Sequence, residues 1–407
     1  MEQTLKRYAE LIIKVGVNLQ KGEDLVINAT TDSAFFTRFV AEKGYEAGAK
    51  SVTVLWSDEP LNKMKLQNES LETLTDFPEW LVKSREYVVD KKAAYVAILA
   101  EDPEIYKDIP PEKVAAVSRA RRQAYKRFYE ASMSNEIRWC LVAIPNLAWA
   151  KKVSPTLKDE EAVRYLWSLI FKTMRLDKPD SVKAWRDHQD RLKSLCKIMT
   201  NKKFEFLKYK NSLGTDFSIG LPKGYYFTGG CETGRDGIEF SANMPTEEIF
   251  TAPDRKTANG KVVASMPLFY NGNRIEDFYF VFKDGKVVEY DAKIGKNILK
   301  ELLDTDEGAK YLGEVALVEY NSPIQNLKTL FYNTLFDENA SCHLALGKAY
   351  PCIAGSENMT KEELSSLGLN ESLEHVDFML GTPDLSIIGI DKAGNETIIF
   401  KDGNFVI

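Results

Sequence analysis

The stretch DLVINA at residues 24–29 is the first of four short apolar runs that decide the fold of the N-terminal half. The other three are SVTVLW at 51–56, AAYVAILA at 93–100 and RWCLVAIP at 138–145. Each run has the composition of a buried strand, and longer amphipathic segments of helical period separate the runs. This alternation predicts an α/β domain in which helices cover a mostly parallel sheet.

The pattern changes after about residue 202. Three stretches read as hairpins, at residues 204–221, 261–292 and 384–407, and their turns have the sequences Asn-Gly, Asp-Gly and Ala-Gly-Asn. Helices are expected near 295–312 and 361–367. The sequence therefore predicts an N-terminal α/β domain over residues 1–190, followed by an α+β, largely antiparallel C-terminal domain over residues 191–407.

The composition excludes several classes of partner. The 407 residues include 54 Lys and Arg against 60 Asp and Glu, so the net charge of -6 gives no basic surface for nucleic acid or an anionic membrane. The N-terminus has helical spacing with interspersed charges, unlike a signal peptide, and no apolar run is long enough to span a membrane. Five cysteines without paired spacing suit the cytoplasm. A peptide or small metabolite is the expected partner.

Two of the three histidines lie among acidic residues in the C-terminal half. His375 and Asp377 are two positions apart, so on an extended strand both side chains point to one face. Glu338 and His343 are five positions apart, a spacing that a turn leading into a strand can accommodate. Imidazoles and carboxylates that converge from separate segments are typical ligands of divalent metal ions, which predicts a two-metal hydrolytic site.

Glu314 begins the apolar run LGEVALV, which is expected to be a buried strand. A carboxylate in that position is costly to bury unless a positive charge neutralises it, and a metal ion would do so. The alternative is that each of these polar residues lies at the rim of the domain or pairs with Lys or Arg. The sequence alone leaves both interpretations open for any single residue.

The acidic and histidine-containing motifs resemble those of one family of metallo-aminopeptidases, which includes aminopeptidase T, aminopeptidase S and PepS. The resemblance spans essentially the full chain and keeps the order and spacing of the motifs, which are NMPTEEIFTAP (243–253), Gly313-Glu314, residues 337–347, Tyr350-Pro351 and His375-Val-Asp377. It implies a cytoplasmic, homodimeric exopeptidase with an N-terminal α/β domain and a C-terminal metal-binding domain. The expected substrates are peptides with a free N-terminus.

Carried onto this chain, the resemblance implies two divalent metal ions and an active-site tyrosine, Tyr350. The implied metal ligands are Glu248, Glu314, Glu338, His343, His375 and Asp377. Glu247 is adjacent to Glu248, and only one of the two should be a ligand because neighbouring side chains on a strand face opposite sides. Zinc, cobalt, manganese and magnesium all suit this set of oxygen and imidazole ligands.

The mechanism that follows is hydrolysis by a water bridging two metal ions, with Asp377 or Glu314 as the bridging ligand and Tyr350 as a hydrogen-bond donor to the oxyanion. Two alternatives remain at this point. One is a metal-dependent hydrolase of a non-peptide amide. The other is a non-catalytic metabolite-binding protein that uses the N-terminal half and holds a structural metal.

Overall fold

The structure, a computed structural model, describes residues 1–270, 273–356 and 359–407. The chain forms two compact units. Unit 1 comprises residues 1–188, 231–245 and 330–333, and unit 2 comprises residues 189–230, 246–329 and 334–407. Whether the two parts predicted at 1–190 and 191–407 are independent domains stays a prediction.

Unit 1 is built on a four-stranded parallel sheet. Its strands are β1 (Asp24–Thr30), β2 (Ser51–Ser57), β3 (Ala94–Leu99) and β4 (Trp139–Ala143), and their order in the sheet is β2-β1-β3-β4. Each strand coincides with one of the four apolar runs, so the predicted parallel α/β architecture is confirmed. β1 and β3 are almost completely buried, as expected for central strands covered on both faces.

Ten helices of the described chain precede the strands of unit 2, and the last of them contains the point of division between the units. They are α1 (Glu2–Leu11), α2 (Ala34–Glu46), α3 (Glu59–Asn68), α4 (Leu71–Thr75), α5 (Glu79–Asp90), α6 (Pro111–Ala124), α7 (Lys126–Met133), α8 (Leu147–Val153), α9 (Asp159–Thr173) and α10 (Ser181–Lys202). Side chains of Asp58, Ser70 and Asn146 accept backbone N–H groups and cap α3, α4 and α8. None of the helices in the described residues is long and apolar enough to cross a membrane.

A segment from the second half of the sequence completes unit 1. It contains the short strands β7 (Glu232–Thr233) and β8 (Glu239–Phe240). The N–H of Leu141 in β4 donates to the carbonyl of Ala242 at 2.7 Å, and the N–H of Met244 donates to the carbonyl of Leu141 at 3.0 Å. These long-range bonds place residues 231–245 with the N-terminal sheet.

Unit 2 contains a nine-stranded antiparallel sheet. The strands are β5 (Phe204–Lys210), β6 (Asp216–Gly220), β10 (Asn259–Val263), β11 (Leu268–Tyr270), β12 (Asn273–Lys283), β13 (Lys286–Ile294), β17 (Ser386–Asp391), β18 (Glu396–Lys401) and β19 (Asn404–Phe405). Their order is β11-β12-β10-β6-β5-β17-β18-β19, with β13 paired to β12. The predicted hairpins at 204–221 and 384–407 and the Asp284-Gly285 turn are confirmed. The predicted Asn271-Gly272 turn lies outside the described residues.

A second antiparallel sheet of unit 2 has four strands. They are β9 (Ile249–Thr251), β14 (Leu312–Leu317), β15 (His343–Gly347) and β16 (His375–Met379), in the order β16-β15-β14-β9. The buried face of this sheet contributes Phe378, whose ring lies 5.1 Å from that of Phe280 and 6.2 Å from that of Phe278 in β12. Aromatic side chains of the two sheets therefore pack together in the core of this unit.

Three helices in the described part of unit 2 connect these strands: α11 (Lys296–Leu303), α12 (Thr334–Asp337) and α13 (Lys361–Ser366). The helix expected near 361–367 is confirmed. The helix expected over 295–312 ends early, at Leu303. The carboxylate of Asp306 accepts the N–H groups of Ala309 and Leu373 and the hydroxyl of Ser372, so it organises a turn where the helix was expected to continue.

Gly347 allows the last residues of β15 to approach β16. Its φ is +102°, and a Cβ atom at this position would overlap the carbonyl oxygen of Glu374. We therefore expect Gly347→Ala to lower the free energy of unfolding by about 3 kcal/mol or more, through combined backbone strain and overlap. Denaturant unfolding followed by circular dichroism measures this change.

Gly394→Ala is a matched control for this substitution. Gly394 has a φ of +82°, but no atom lies within 4 Å of the position that an added methyl group would occupy. Gly394→Ala should lower the free energy of unfolding by only about 1 kcal/mol, because the alanine would adopt a left-handed backbone conformation without any overlap. Equal losses in the two variants would contradict the steric role assigned to Gly347.

Candidate metal centre

Three neighbouring strands present the candidate ligands on one face of the β16-β15-β14-β9 sheet. Glu314 of β14 pairs with Ala345 of β15, which pairs with Asp377 of β16. Directly paired residues share a face, as do residues two apart on one strand. His343 is therefore on the same face as Ala345, and His375 is on the same face as Asp377.

Two groups of three side chains form on this face. The first group is Glu248, Glu314 and His343, and the second group is Glu314, His375 and Asp377. Within each group, one ligand atom from each residue lies within 4.8 Å of the others. Glu314 belongs to both groups, whereas Asp377 belongs to the second group alone.

Glu314 directs its two oxygens to different imidazoles. Its Oε1 lies 3.5 Å from Nε2 of His343, and its Oε2 lies 3.7 Å from Nε2 of His375. Glu248 Oε2 approaches Nε2 of His343 at 3.1 Å, and Asp377 Oδ1 approaches Nε2 of His375 at 3.6 Å. The structure thus brings five of the six predicted ligands together.

The other nitrogen of each imidazole contacts a backbone carbonyl. Nδ1 of His343 lies 3.0 Å from the carbonyl oxygen of Ser341, and Nδ1 of His375 lies 2.7 Å from that of Lys348. A carbonyl oxygen only accepts hydrogen bonds, so each Nδ1 carries a proton and donates it. In the neutral ring, Nε2 then has no proton and directs its lone pair towards the carboxylates. A histidine that binds a metal ion through Nε2 requires this tautomer.

Two buried carboxylate oxygens in these groups accept no hydrogen bond from any part of the described chain. They are Oε2 of Glu248 and Oδ1 of Asp377. Within the described residues, no Lys or Arg forms an ion pair with Glu248, Glu314, Glu338 or Asp377. The alternative of ordinary pairing with basic side chains is therefore not observed, and the unsatisfied oxygens fit a site for cations.

The carboxylates experience opposing electrostatic effects. Burial raises the pKa of Glu314, and the negative charge of Asp377 adds to this increase. Burial also raises the pKa of Glu338 well above its usual value, followed by the charges of Asp377 and Glu248. At Asp377 burial acts in the same direction, but the nearby imidazole of His375 and the charge of His343 outweigh it and lower the pKa. Crowded acidic groups of this kind are stabilised by added positive charge.

The imidazoles respond in the complementary way. Burial opposes their protonation, but the carboxylates of Glu248 and Glu314 raise the pKa of His343 well above its usual value. Burial is likewise outweighed at His375, where Asp377 and Glu314 raise the pKa to about 10. The field on this face therefore favours positive charge at both imidazole positions, as expected of a cation site.

Glu338 and Tyr350 complete the set of predicted residues. Glu338 begins a short 3-10 helix after α12 and belongs to neither three-residue group, although its charge interacts with those of both groups. The ring of Tyr350 lies 5.3 Å from the ring of His375 and 5.9 Å from that of Phe250. Burial, followed by the charges of Glu314 and Asp377, raises the pKa of Tyr350, so its phenol stays protonated.

Of the two adjacent glutamates, Glu248 contacts His343, whereas the buried Glu247 is in neither group. Sequence reasoning missed the residues that orient this site. The carbonyls that fix the imidazoles leave no sequence signal. Asn339 also orients the site, and it lies within the motif at residues 337–347, directly after Glu338. Its side chain accepts the N–H of Glu247.

Comparison with known proteins shows the family to which this chain belongs. The family model of the thermophilic metalloproteases (M29) matches residues 1–405. Aminopeptidase 2 of Geobacillus stearothermophilus is 44% identical over 99% of this chain and 98% of its own length. Aminopeptidase AmpS of Bacillus subtilis is 42% identical, with the same two shares of 99% and 98%.

Among solved structures, wild-type AmpT from Thermus thermophilus matches with a TM-score of 0.93 and 37% identity, and the match covers 100% of both chains. The predicted fold, family and enzyme class are confirmed by these similarities. The chain therefore belongs to the M29 family of thermophilic metalloproteases, and it is a metal-dependent hydrolase of peptide bonds.

Proposed function

We propose that the protein is an aminopeptidase that holds two divalent cations, one at each three-residue group. One observation carries this proposal: the two oxygens of Glu314 face two different imidazoles, so the groups are adjacent and share one carboxylate. Glu314 would bind both cations. Glu248 with His343, and His375 with Asp377, would complete the respective groups.

We further propose Glu338 as the sixth ligand. Together with Glu248, Glu314 and Asp377 it supplies four negative charges, which balance two divalent cations when both imidazoles are neutral. Oxygen donors with one imidazole per group suit zinc, cobalt, manganese or magnesium. Which of these occupies the protein in the cell is then set by availability as much as by affinity.

Two divalent cations supply Lewis acidity, because they polarise the scissile carbonyl and lower the pKa of the attacking water. The protein supplies orientation and hydrogen bonds. Tyr350 keeps its phenol proton and lies beside His375, so we assign it as a donor to the oxygen on which negative charge develops. Phe250, whose ring also packs against Tyr350, pairs with Ala316 of β14 and contributes an apolar surface to the same face.

Peptides with a free N-terminus are the proposed substrates. The free amine of such a peptide has a lone pair that could bind one of the proposed cations, whereas the nitrogen of an acetylated N-terminus is an amide and a poor donor. The net charge of -6 argues against nucleic acid as a partner. We also propose that the enzyme acts as a homodimer in the cytoplasm, which rests on its similarity to the family.

The test combines a paired substrate with a metal count. Purified protein should hydrolyse leucine p-nitroanilide and should not measurably hydrolyse the N-acetylated compound, because the blocked amine removes the recognition element. Elemental analysis of the active protein should give two ions per chain. Equal cleavage of both substrates would contradict the aminopeptidase proposal, and one ion per chain at full activity would contradict the two-ion site.

A further inference from the structure

The side chain of Asn339 is completely buried and uses both ends of its amide. Its Oδ1 accepts the backbone N–H of Glu247 at 2.8 Å. Its Nδ2 donates to the carbonyl of Leu335 at 3.2 Å and lies 3.4 Å from Oε1 of Glu338. Asn339 therefore connects two segments that are 92 residues apart in sequence.

These two segments carry the candidate ligands that the sheet does not position. Glu314, His343, His375 and Asp377 lie on strands whose register is fixed by backbone pairing. Glu248 instead precedes β9, and Glu338 lies in a 3-10 turn. Glu248 and Glu338 therefore need other contacts that fix their positions, since a metal ligand whose position is not fixed binds its metal weakly. The buried amide connects their segments directly.

We propose that Asn339 is a positioning residue that holds Glu248 and Glu338 in place for the cation of the first group. This inference rests on the proposed function, because it requires a cation at each group. If Asn339 acts in this way, its removal should lower the affinity for the first cation more than the affinity for the second. The second group, which lies entirely on β14 and β16, does not depend on the amide.

The experiment is a calorimetric titration of zinc into chelator-treated protein. The wild type should bind two ions. In Asn339→Ala, the affinity for one ion should fall by about 10-fold to 100-fold, the usual effect of losing an outer partner of a metal ligand. The affinity for the other ion should stay unchanged. Equal affinities in variant and wild type, or equal loss of both ions, would overturn the proposal.

A double-mutant cycle assigns the affected ion. Adding Asn339→Ala to Glu248→Ala should reduce zinc affinity less than adding it to the wild type, because one of the two ligands that Asn339 positions is already absent. Adding it to Asp377→Ala should reduce the affinity of the remaining ion by the full amount. The reverse pattern would show that Asn339 acts on the second group, contrary to the proposal.

Two further variants separate positioning from general destabilisation. Asn146→Ala removes a side chain that caps α8 through the N–H of Trp149 and donates to the carbonyl of Ala100. It should lower the unfolding temperature without changing zinc affinity. Asn339→Asp keeps an acceptor for the N–H of Glu247 but loses the donor hydrogens. It should still bind the first ion more weakly than the wild type, because Glu338 loses its contact with the amide donor.

If Asn339→Ala fails to fold, wild-type zinc affinity in Asn339→Asp would overturn the proposal. The wild-type titration separately tests the proposed function. A wild type that binds one ion would contradict the two-ion site, and the role of Asn339 would then be judged by whether the affinity for that single ion falls.

Discussion

Glu314→Gln should reduce kcat/KM for leucine p-nitroanilide by roughly a factor of 1,000 or more, which corresponds to about 4 kcal/mol of transition-state stabilisation. The physical reason is the position of Glu314 between the imidazoles of His343 and His375, with one oxygen directed to each. Glutamine has nearly the same shape, but its amide lacks the charge and replaces one acceptor by a donor. A single substitution therefore damages both cation positions.

The fold should tolerate this change. Burial raises the pKa of Glu314, so in the metal-free protein its ionised form is destabilising and a neutral amide should not lower the unfolding temperature. Glu205→Gln is a matched control, since Glu205 is an exposed residue on β5 of the same unit. It should keep wild-type kinetics. Near-normal activity in purified Glu314→Gln would refute the assignment of the shared carboxylate.

Removal of metal by a chelator should abolish hydrolysis and should also destabilise the protein. Without cations, Glu248 Oε2 and Asp377 Oδ1 remain buried without hydrogen-bond donors, next to other carboxylates. At a free metal concentration of about 1,000 times Kd, binding to the folded state alone adds about 4 kcal/mol to its stability. Added zinc or cobalt should restore both the activity and the unfolding temperature.

The thermal measurement distinguishes two causes of lost activity, which are removal of a bound metal ion and direct inhibition of the enzyme by the chelator. Calorimetry of the wild type should show a higher unfolding temperature with zinc than with chelator. Glu314→Gln should show a much smaller increase, because each group has lost a ligand. An increase of the same size in both proteins would mean that zinc binds elsewhere, and an unchanged wild-type unfolding temperature would argue against a cation at this face.

The local pattern of the sequence was sufficient to predict most of the elements. The four parallel strands and the hairpins at the C-terminus follow from composition, period and turn residues, and the extended segment at His375 and Asp377 was expected from the same reasoning. The end of α11 at Leu303 was missed, since it depends on Asp306 binding N–H groups from a distant segment. Local propensity contains no information about such a contact.

The arrangement of the site was less accessible. The sequence placed Glu314 at a buried strand and linked the motifs through family resemblance, but it did not indicate that β14, β15 and β16 are neighbours in that order. Strand order depends on long-range pairing. The carbonyls of Ser341 and Lys348 that orient the histidines are equally invisible, because every residue has a carbonyl and only the fold decides which one an imidazole meets.

Backbone pairing between β14, β15 and β16 positions the side chains of the site, and this pairing does not depend on the lengths of the segments that join the strands. The donors on these strands stay in register whatever joins them, and the joining segments, residues 318–342 and 348–374, add closure entropy only slowly as they lengthen. We therefore expect insertions there, away from Glu338, Asn339 and Tyr350, to leave the pairing of these three strands intact.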